Sequence, residues 1–153
     1  MKTFEYRVAV EWTGNDGKGT STPAYGRDGE IATDGKPTII GSAPAEFGGD
    51  GMNWSPEDLL VAAVSQCHML TYLFLCSRHG ITVESYHDDA VGILDVGGAG
   101  GRFRSIELRP AVVISSGDAA AADALHVEAS AACYVGASVG VPINVNGTAT
   151  PAG

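Results

Sequence analysis

The first segment of the chain alternates apolar and polar residues. Every second residue from Phe4 to Trp12 is apolar, and most of the residues between them are polar or charged. A period of two predicts a β-strand with one apolar face. Residues 22–33 and 37–41 are predicted to form two further strands, joined by a turn at Asp34-Gly35.

A long apolar stretch follows a loop, residues 42–55, that is rich in glycine, proline and alanine. Ser55 is a favourable helix N-cap, Pro56 suits the first helical position, and Gly80 suits the position just beyond a helix end. These signals predict a helix from Pro56 to about His79. Because polar residues are scarce along it, we expect neighbouring elements to cover this helix nearly all round.

The same stretch approaches the length of a membrane span, but its centre is polar. Lipid would penalise Ser65, Gln66 and His68, so a buried core helix is the better interpretation. The N-terminal alternation includes Glu5 and does not resemble a signal peptide. Three cysteines, an odd number, fit reduced thiols rather than a disulfide framework. The expected localisation is therefore cytoplasmic.

The second half of the chain contains both strand and helix patterns. Residues 82–96 and 102–114 predict a hairpin whose turn is the glycine-rich segment Gly97–Gly101. Residues 118–137 are rich in alanine and predict a helix, and residues 142–150 predict a short strand. The resulting order, βββ-α-ββ-α-β, indicates an α+β fold.

Composition and charge bear on domain number and on partners. With 153 residues, 44% of them hydrophobic, the chain is expected to form one domain, residues 1–153, with a real core. Nucleic acids and anionic membranes both favour basic surfaces, whereas the net charge is −9. We therefore expect neither nucleic acid nor a membrane among the partners.

The cysteines carry the candidate chemistry. Cys67 and Cys76 lie nine residues apart on the predicted long helix, which places them about 180° apart around its axis. They cannot pair with each other, and Cys76 is best interpreted as a core residue. Cys133 lies on a different element, so Cys67 and Cys133 are the pair that folding could bring together. None of the spacings is typical of a zinc site, and we expect no metal or other cofactor.

Spacing alone leaves the role of these thiols open. A buried cysteine is most often an inert core residue, whereas a redox cysteine needs a cation that stabilises its thiolate. Arg27 is the least strand-like of the nine lysines and arginines and is one candidate for that cation. A cysteine–histidine hydrolase is another option, because His126 precedes Cys133 by seven residues and would share its helix face.

Five segments together resemble the OsmC/Ohr family of thiol peroxidases. They are Trp12–Gly14, Tyr25–Asp28, Asn53–Leu60, Ser65–Leu70 and Cys133–Val139, and they follow the family's order over nearly the whole chain. The resemblance is closest to a less characterised OsmC-like branch, in which the central helix reads Cys-His-Met-Leu. It implies an α+β fold with a long buried central helix, antiparallel sheets and an intertwined homodimer.

The resemblance also implies a function and a set of site residues. Cys67 matches the peroxidatic cysteine and Cys133 the resolving cysteine. Arg27 matches the arginine that holds the thiolate, and Glu57 the glutamate that orients this arginine. The implied activity is reduction of organic hydroperoxides to alcohols through a Cys67 sulfenic acid and a Cys67–Cys133 disulfide. An external dithiol, for instance of lipoyl type, then reduces the disulfide, and the whole cycle serves defence against oxidative stress.

Helix geometry bears on the implied site. Glu57 precedes Cys67 by ten residues. Ten helical residues span about 15 Å, so Glu57 cannot reach the cysteine of its own helix. Arg27 and Glu57 are therefore expected to serve Cys67 of a partner chain, with active sites at the subunit interface of a homodimer.

Two features depart from the well-studied peroxidases. Tyr134 follows the resolving cysteine where proline is common, and Cys76 is a third cysteine that the simplest scheme does not use. The alternative function is a non-catalytic or redox-sensing OsmC-like binding protein.

Overall fold

The computed structural model describes residues 1–98 and 100–153. These residues form two compact units, Met1–Leu59 and Leu60–Gly153. The single domain expected over residues 1–153 stays a prediction.

The first unit contains a three-stranded antiparallel sheet. Strand β1 is Ala9–Trp12, β2 is Gly29–Ala32 and β3 is Ile39–Gly41, with β2 in the middle. All three strands were predicted, but each is shorter than its pattern indicated. Ala9 pairs with Ala32, the last residue of β2, so the described part of this unit offers residues 4–8 no partner strand.

Helix α1, Pro56–Arg78, begins and ends much as the sequence predicts. At its start the Asp58 amide donates to Ser55 Oγ at 3.1 Å, and the Ser55 amide donates to Asp58 Oδ2 at 3.0 Å. At its end Gly80 takes the left-handed conformation, with φ of 69°, and the Ile81 amide donates to the carbonyl of Cys76 at 2.9 Å. This glycine-based cap stops the helix.

The second unit adds six strands, which form two sheets. In chain order β4 to β9 are Thr82–Asp88, Val91–Gly97, Gly100–Leu108, Pro110–Ser116, Ile143–Val145 and Thr148–Pro151. The sheets have the orders β4-β7-β9 and β5-β6-β8. Because β8 and β9 pair in parallel with β6 and β7, both sheets are mixed and not purely antiparallel as expected.

The hairpin predicted over residues 82–96 and 102–114 is wrong in part of its pairing. β5 and β6 do form a hairpin at the glycine-rich turn, although Ala99 of that turn lies outside the described residues. β4, however, pairs with β7 in the other sheet. Asp88 marks the change of sheet, because its carboxylate accepts the Arg109 amide at 2.6 Å and so ties the end of β4 to the start of β7.

The alanine-rich segment 118–137 forms two helices where one was predicted. α2 is Ala119–Ala132 and α3 is Tyr134–Ser138, and Cys133 between them has extended backbone angles (φ −72°, ψ 109°). Residues 142–150, predicted as one strand, likewise form parts of two, β8 and β9. The predicted α+β class is confirmed.

One face of α1 packs into the core of the second unit. Tyr72 and Cys76 lie in one apolar cluster with residues of β7 and α2. The Ser65 hydroxyl donates to Asp88 at 2.5 Å, so the polar centre of the helix has partners inside the protein. By length and composition alone α1 could cross a membrane. Its packing and polar bonds support the predicted core helix.

The opposite face of α1 is exposed within the chain. Leu70 is 58% exposed and Phe74 is 61% exposed. The expectation that neighbouring elements cover the helix nearly all round is therefore wrong for a single chain. Large apolar side chains gain free energy when they leave water, so this face favours contact with a further surface.

Candidate functional site

The structure brings Cys67 and Cys133 together in the second unit. Their sulfur atoms lie 2.7 Å apart, with the Cys133 thiol donating to Cys67. Cys67 lies near the middle of α1 and is partly exposed, whereas Cys133 is buried between α2 and α3. Two thiols in contact need only a small movement to form a disulfide. The pair that the sequence indicated thus exists as a contact.

The break between α2 and α3 directs backbone amides at these thiols. Cys133 is the N-cap of α3, and its sulfur accepts the Gly136 amide at 3.2 Å. The amides of Val135, Gly136 and Tyr134 also lower the pKa of the nearby Cys67 thiol. The first amides of a helix have no partner within that helix. A break at Cys133 therefore frees donors that a continuous helix would use in its own hydrogen bonds.

The two thiols differ in acidity. Burial by itself would raise the pKa of Cys67, but the hydrogen bond from Cys133 and the α3 amides lower that pKa below its ordinary value. Burial, together with the bond to Cys67, raises the pKa of Cys133 to about 11. Cys67 is therefore the thiol that ionises first, and Cys133 is the one that keeps its proton.

Cys76 takes no part in this pair. It is 1% exposed, lies in the core cluster with Tyr72, and its burial raises its pKa. A neutral, buried thiol is an unreactive one. The core role predicted from its position on α1 is confirmed.

A buried pair of histidines was missed by the sequence analysis. His68, next to Cys67, lies with its Nε2 3.0 Å from Nδ1 of His126, and the His126 ring stacks on Tyr72 at 4.1 Å between centroids. Burial, and secondly the charge of His126, lowers the pKa of His68 to about 4, and burial also lowers the pKa of His126. Both rings are therefore neutral at neutral pH. The contact spans 58 residues of sequence, and no periodicity marks it.

This pair argues against a cysteine–histidine hydrolase. Such an enzyme needs a hydrogen bond between the imidazole and the nucleophilic thiol. His126 bonds instead to His68, and among residues 1–98 and 100–153 neither histidine bonds to a cysteine sulfur. The neutral pair is a packed core feature beside the thiols.

Arg27 and Glu57 line one pocket in the first unit. The pocket has a volume of about 480 Å³, and Phe47, Trp54 and Ile31 contribute apolar walls. The sequence analysis assigned both charged residues to one site, and the structure places both on one pocket.

Arg27 is held there by backbone carbonyls and by an aromatic ring. Its Nη1 donates to the Tyr25 carbonyl at 2.8 Å and its Nη2 to the Pro23 carbonyl at 3.0 Å. The guanidinium carbon lies 4.5 Å from the centroid of the Tyr25 ring, a cation–π contact. Gly48, with φ of 80°, passes so close that a Cβ there would lie 3.2 Å from the guanidinium carbon. These contacts fix the position of the arginine.

Glu57 does not pair with Arg27 in the way that the resemblance implies. Within the described part of the chain, the ion pairs involve other residues than these two. Glu57 Oε2 is buried and has no hydrogen-bond partner among the described residues. A buried carboxylate oxygen without a donor is unfavourable and ready to accept one. Its role in orienting Arg27 stays a prediction.

The fold and the thiol pair define a class: α+β proteins that hold two cysteines in contact, one more acidic and one less acidic than usual. Among the described residues, no group of three His, Cys, Asp or Glu side chains is placed to hold a metal ion. The model of the family described as OsmC-like protein matches residues 48–146, more than half of the chain. The chain belongs to this family, the OsmC/Ohr family, as the motifs predicted.

Three proteins from the comparisons are similar to this chain. An OsmC-like protein of unknown function from Vibrio cholerae is 30% identical, with a TM-score of 0.85 over 95% of this chain and 99% of that chain. The uncharacterised protein YmaD of Bacillus subtilis is 28% identical over 64% of this chain and 68% of its own length. The organic hydroperoxide resistance protein OhrB of Bacillus subtilis shares the fold, with 20% identity and a TM-score of 0.61 over 95% of this chain and 98% of that chain.

Proposed function

We propose that this protein is a thiol-dependent peroxidase that reduces organic hydroperoxides to alcohols in defence against oxidative stress. The observation that carries the proposal is the contact of Cys67 and Cys133, whose sulfur atoms lie 2.7 Å apart and whose pKa values move in opposite directions. A peroxidatic cysteine has to ionise readily, and a resolving cysteine has to lie within reach of it. This pair meets both requirements.

The reaction has three steps. The thiolate of Cys67 attacks the terminal oxygen of the hydroperoxide, the O–O bond breaks, and the alkoxide leaves and takes up a proton to become the alcohol. The thiol of Cys133 then attacks the sulfur of the Cys67 sulfenic acid, which forms a disulfide and releases water. An external dithiol supplies two electrons, restores both thiols and becomes a disulfide itself.

We extend the proposal to a homodimer with active sites at the subunit interface. About 15 Å of helix separate Glu57 from Cys67 of the same α1, so Glu57 serves the cysteine of a second chain. Arg27 lines the same pocket as Glu57 and does likewise. The buried Glu57 oxygen that lacks a donor among the described residues supports this idea, since a guanidinium that shifts on dimerisation would satisfy it. The exposed Leu70 supports a second chain as well.

An organic substrate suits the pocket around Arg27. Phe47, Trp54 and Ile31 offer apolar contacts to the alkyl or aryl part of a hydroperoxide, while the guanidinium of Arg27 faces its polar end. OhrB, a relative in fold, is an organic hydroperoxide resistance protein. We propose a cytoplasmic reaction, where lipoyl-type dithiols are candidates for the reductant, with neither nucleic acid nor a membrane as partner.

The test is consumption of cumene hydroperoxide by the reduced protein with dithiothreitol as reductant. Wild type should turn over many times, and Cys67→Ser should consume no peroxide. Without dithiothreitol, Cys133→Ser should consume about one equivalent and form no internal disulfide, because its sulfenic acid has no internal thiol to condense with. Cys76→Ser, a change in the third cysteine, should retain turnover. Consumption by Cys67→Ser at the wild-type rate would refute the proposal.

A redox-sensing or binding protein is the second candidate. One observation supports this second function. Among the described residues, Arg27 donates its hydrogen bonds to backbone carbonyls and not to the carboxylate of Glu57. In that case cumene hydroperoxide should oxidise wild type once, to the Cys67–Cys133 disulfide, and no dithiol should drive repeated turnover. The same assay therefore separates the two functions.

A further inference from the structure

Among the described residues, two hydrogen bonds between side chains join α1 to α2 and to the Cys133 that follows α2. One is the contact of the two thiols, at 2.7 Å, and the other is the bond between His68 Nε2 and His126 Nδ1, at 3.0 Å. His68 directly follows Cys67 on α1, and His126 precedes Cys133 by seven residues, which is close to two full turns of a helix. The two histidines therefore connect the same parts of the chain as the two cysteines.

Apolar packing between these elements is incomplete near Cys133. Tyr72 of α1 and Leu125 of α2 lie in one core cluster. Beside Cys133, however, a cavity of about 340 Å³ opens, and its lining includes Val64 of α1 and Ala131 of α2. A cavity removes contacts that would otherwise hold two elements at a fixed distance. The position of Cys133 relative to α1 therefore depends more on hydrogen bonds than it would in a closely packed core.

The ring of His126 is held on more than one side. It stacks on Tyr72 with 4.1 Å between the ring centroids. Gly147, between β8 and β9, lies so close that a Cβ there would collide with the Nε2 edge of the ring. A ring enclosed in this way has little freedom to rotate, so its Nδ1 stays directed at His68.

The direction of the histidine bond follows from the surroundings of the two rings. His126 Nε2 is buried and has no hydrogen-bond partner among the described residues. With the proton on Nδ1, only a lone pair lacks a partner at Nε2, whereas the other tautomer would bury an unpartnered N–H. The first tautomer costs less, so His126 Nδ1 donates to His68 Nε2. Burial lowers the pKa of both imidazoles, which keeps His68 Nε2 unprotonated and able to accept at neutral pH.

On the basis of the proposed function, we propose that His126 is a positioning residue whose bond to His68 holds the end of α2 so that Cys133 stays within reach of Cys67. The step that it serves is the condensation of Cys133 with the sulfenic acid of Cys67. In that step a bond forms between the two sulfur atoms, the S–O bond of the sulfenic acid breaks, and the Cys133 proton leaves with the hydroxyl group as water. His126 takes no part in these bond changes and acts only through the position of Cys133.

The effective concentration of the thiol pair measures this positioning. Protein is equilibrated without peroxide in buffers of reduced and oxidised glutathione and quenched in acid, and the fraction with a Cys67–Cys133 disulfide is determined by mass spectrometry. His126→Leu keeps a side chain of similar size but lacks the donor, and it should lower the effective concentration about tenfold, an effect of the size of one hydrogen bond. His126→Asn, whose side-chain amide can replace Nδ1 as the donor, should stay close to wild type.

The other outcomes of this experiment are distinct. A role of His126 in stability alone would lower the unfolding temperature of His126→Leu and leave the effective concentration unchanged, which would overturn the inference. An equal loss in His126→Leu and His126→Asn would overturn it as well, and both results leave the proposed function intact. If wild type forms no Cys67–Cys133 disulfide, the proposed function fails and the inference fails with it.

A double-mutant cycle tests the bond itself, and it compares variants that share any loss of stability. His68→Leu removes the acceptor and should lower the effective concentration as much as His126→Leu does. The double variant His68→Leu/His126→Leu should show no further loss, because both changes break the same bond. Losses that add would mean that each histidine acts by itself and would overturn the inference. His79→Leu is the control and should behave like wild type, since His79 Nδ1 bonds within α1 and its end, to the Leu75 carbonyl at 2.9 Å.

Discussion

At the scale of the residue, the reactivity of Cys67 depends on donors that reach its sulfur. The thiol of Cys133 donates to it at 2.7 Å, and the backbone amides at the start of α3 lower its pKa as well. Thiolates are usually stabilised by nearby cations, yet amides that lack a helical partner serve the same purpose. Within the second unit, the low pKa of Cys67 thus comes from one neighbouring thiol and from the backbone amides at the start of α3.

The contribution of Cys133 can be measured directly. In Cys133→Ala the hydrogen bond to Cys67 is lost, and the pKa of Cys67 should rise, because that bond stabilises the thiolate. The measurement is the rate of alkylation by iodoacetamide as a function of pH. Cys76→Ala is the control and should leave the midpoint where it is in wild type. An unchanged midpoint in Cys133→Ala would show that the amides alone set the acidity.

The histidine pair predicts a loss of stability in acid. The pKa of His68 is about 4 in the folded protein, below its ordinary value of 6.5. Between these pH values His68 binds a proton in the unfolded chain but not in the folded protein. The free energy of unfolding therefore falls as the pH drops from 6.5 to 4, and above pH 6.5 this effect is absent. We expect a loss on the order of 3 kcal/mol. Urea unfolding at several pH values measures it.

The double variant His68→Gln/His126→Gln is the comparison for that measurement. It removes both imidazoles, so its stability should fall less between pH 6.5 and 4 than that of wild type, whatever its stability at neutral pH. Equal slopes for the two proteins would assign the acid sensitivity to carboxylates instead of the pair.

The sequence predicted that Cys67 and Cys133 form a pair, but it did not predict the groups that surround them. Cys67 and Cys133 stood out because few residue types carry redox chemistry, and helix geometry excluded Cys76 as a partner. The contact between His68 and His126 is a tertiary one across 58 residues, with no local signal. The amide donors belong to the backbone, which no residue type reveals.

At the scale of the element, the ends of a helix were easier to predict than a break within a helix or the pairing of strands. The ends of α1 depend on local signals, the Ser55 cap and Gly80, and the sequence shows both. The break at Cys133 interrupts a segment whose alanine content favours a continuous helix, so tertiary contacts override propensity there. The pairing of β4 with β7 joins distant strands, whereas the local pattern of the segment favours one hairpin.

The start of α3 predicts a difference between two glycines. A Cβ at Gly136 would lie 3.2 Å from Cys133 Sγ and 3.3 Å from Ile143 Cδ1, whereas a Cβ at Gly140 would have no atom within 4 Å beyond its two chain neighbours. Gly136→Ala should therefore displace the Cys133 sulfur and slow disulfide formation by diamide several-fold, while Gly140→Ala should react like wild type. Alanine itself favours a helix by about 1 kcal/mol, so the rate and not the stability is the informative quantity. Equal rates would mean that the α3 start tolerates a methyl group.

At the scale of the whole molecule, the exposed apolar face of α1 is the main feature that is energetically unfavourable in a single chain. Leu70 and Phe74 are more than half exposed, on a helix that is long and apolar enough to cross a membrane. Burial of such side chains contributes about 1.5–3 kcal/mol each, so a second chain of the same kind would gain substantially by covering them. The sequence showed the apolar helix, but only the structure shows which face a single chain leaves open.

The proposed dimer predicts how a charge on that face acts. Phe74→Asp should convert a dimer to a monomer in analytical ultracentrifugation, because an ionised carboxylate cannot be buried in an apolar interface without a partner. Val127→Asp introduces the same charge at an apolar residue of α2 that is 77% exposed, and it should remain dimeric. A wild-type protein that sediments as a monomer of 15.7 kDa would contradict the proposed dimer.

The sharing of a site between two chains can be tested by mixing inactive variants. Arg27→Ala lacks the proposed arginine, and Cys67→Ser lacks the nucleophile, so each homodimer should be inactive. In a mixed dimer, one site combines the intact Cys67 of the first variant with the intact Arg27 of the second. Random reassociation after unfolding should then restore about a quarter of the wild-type activity per site, because half of the dimers are mixed and half of their sites are complete. If Arg27 served the cysteine of its own chain, every site in the mixture would lack one of the two residues, and no activity would return. Refolding each variant alone is the control, and it should give no activity at any protein concentration.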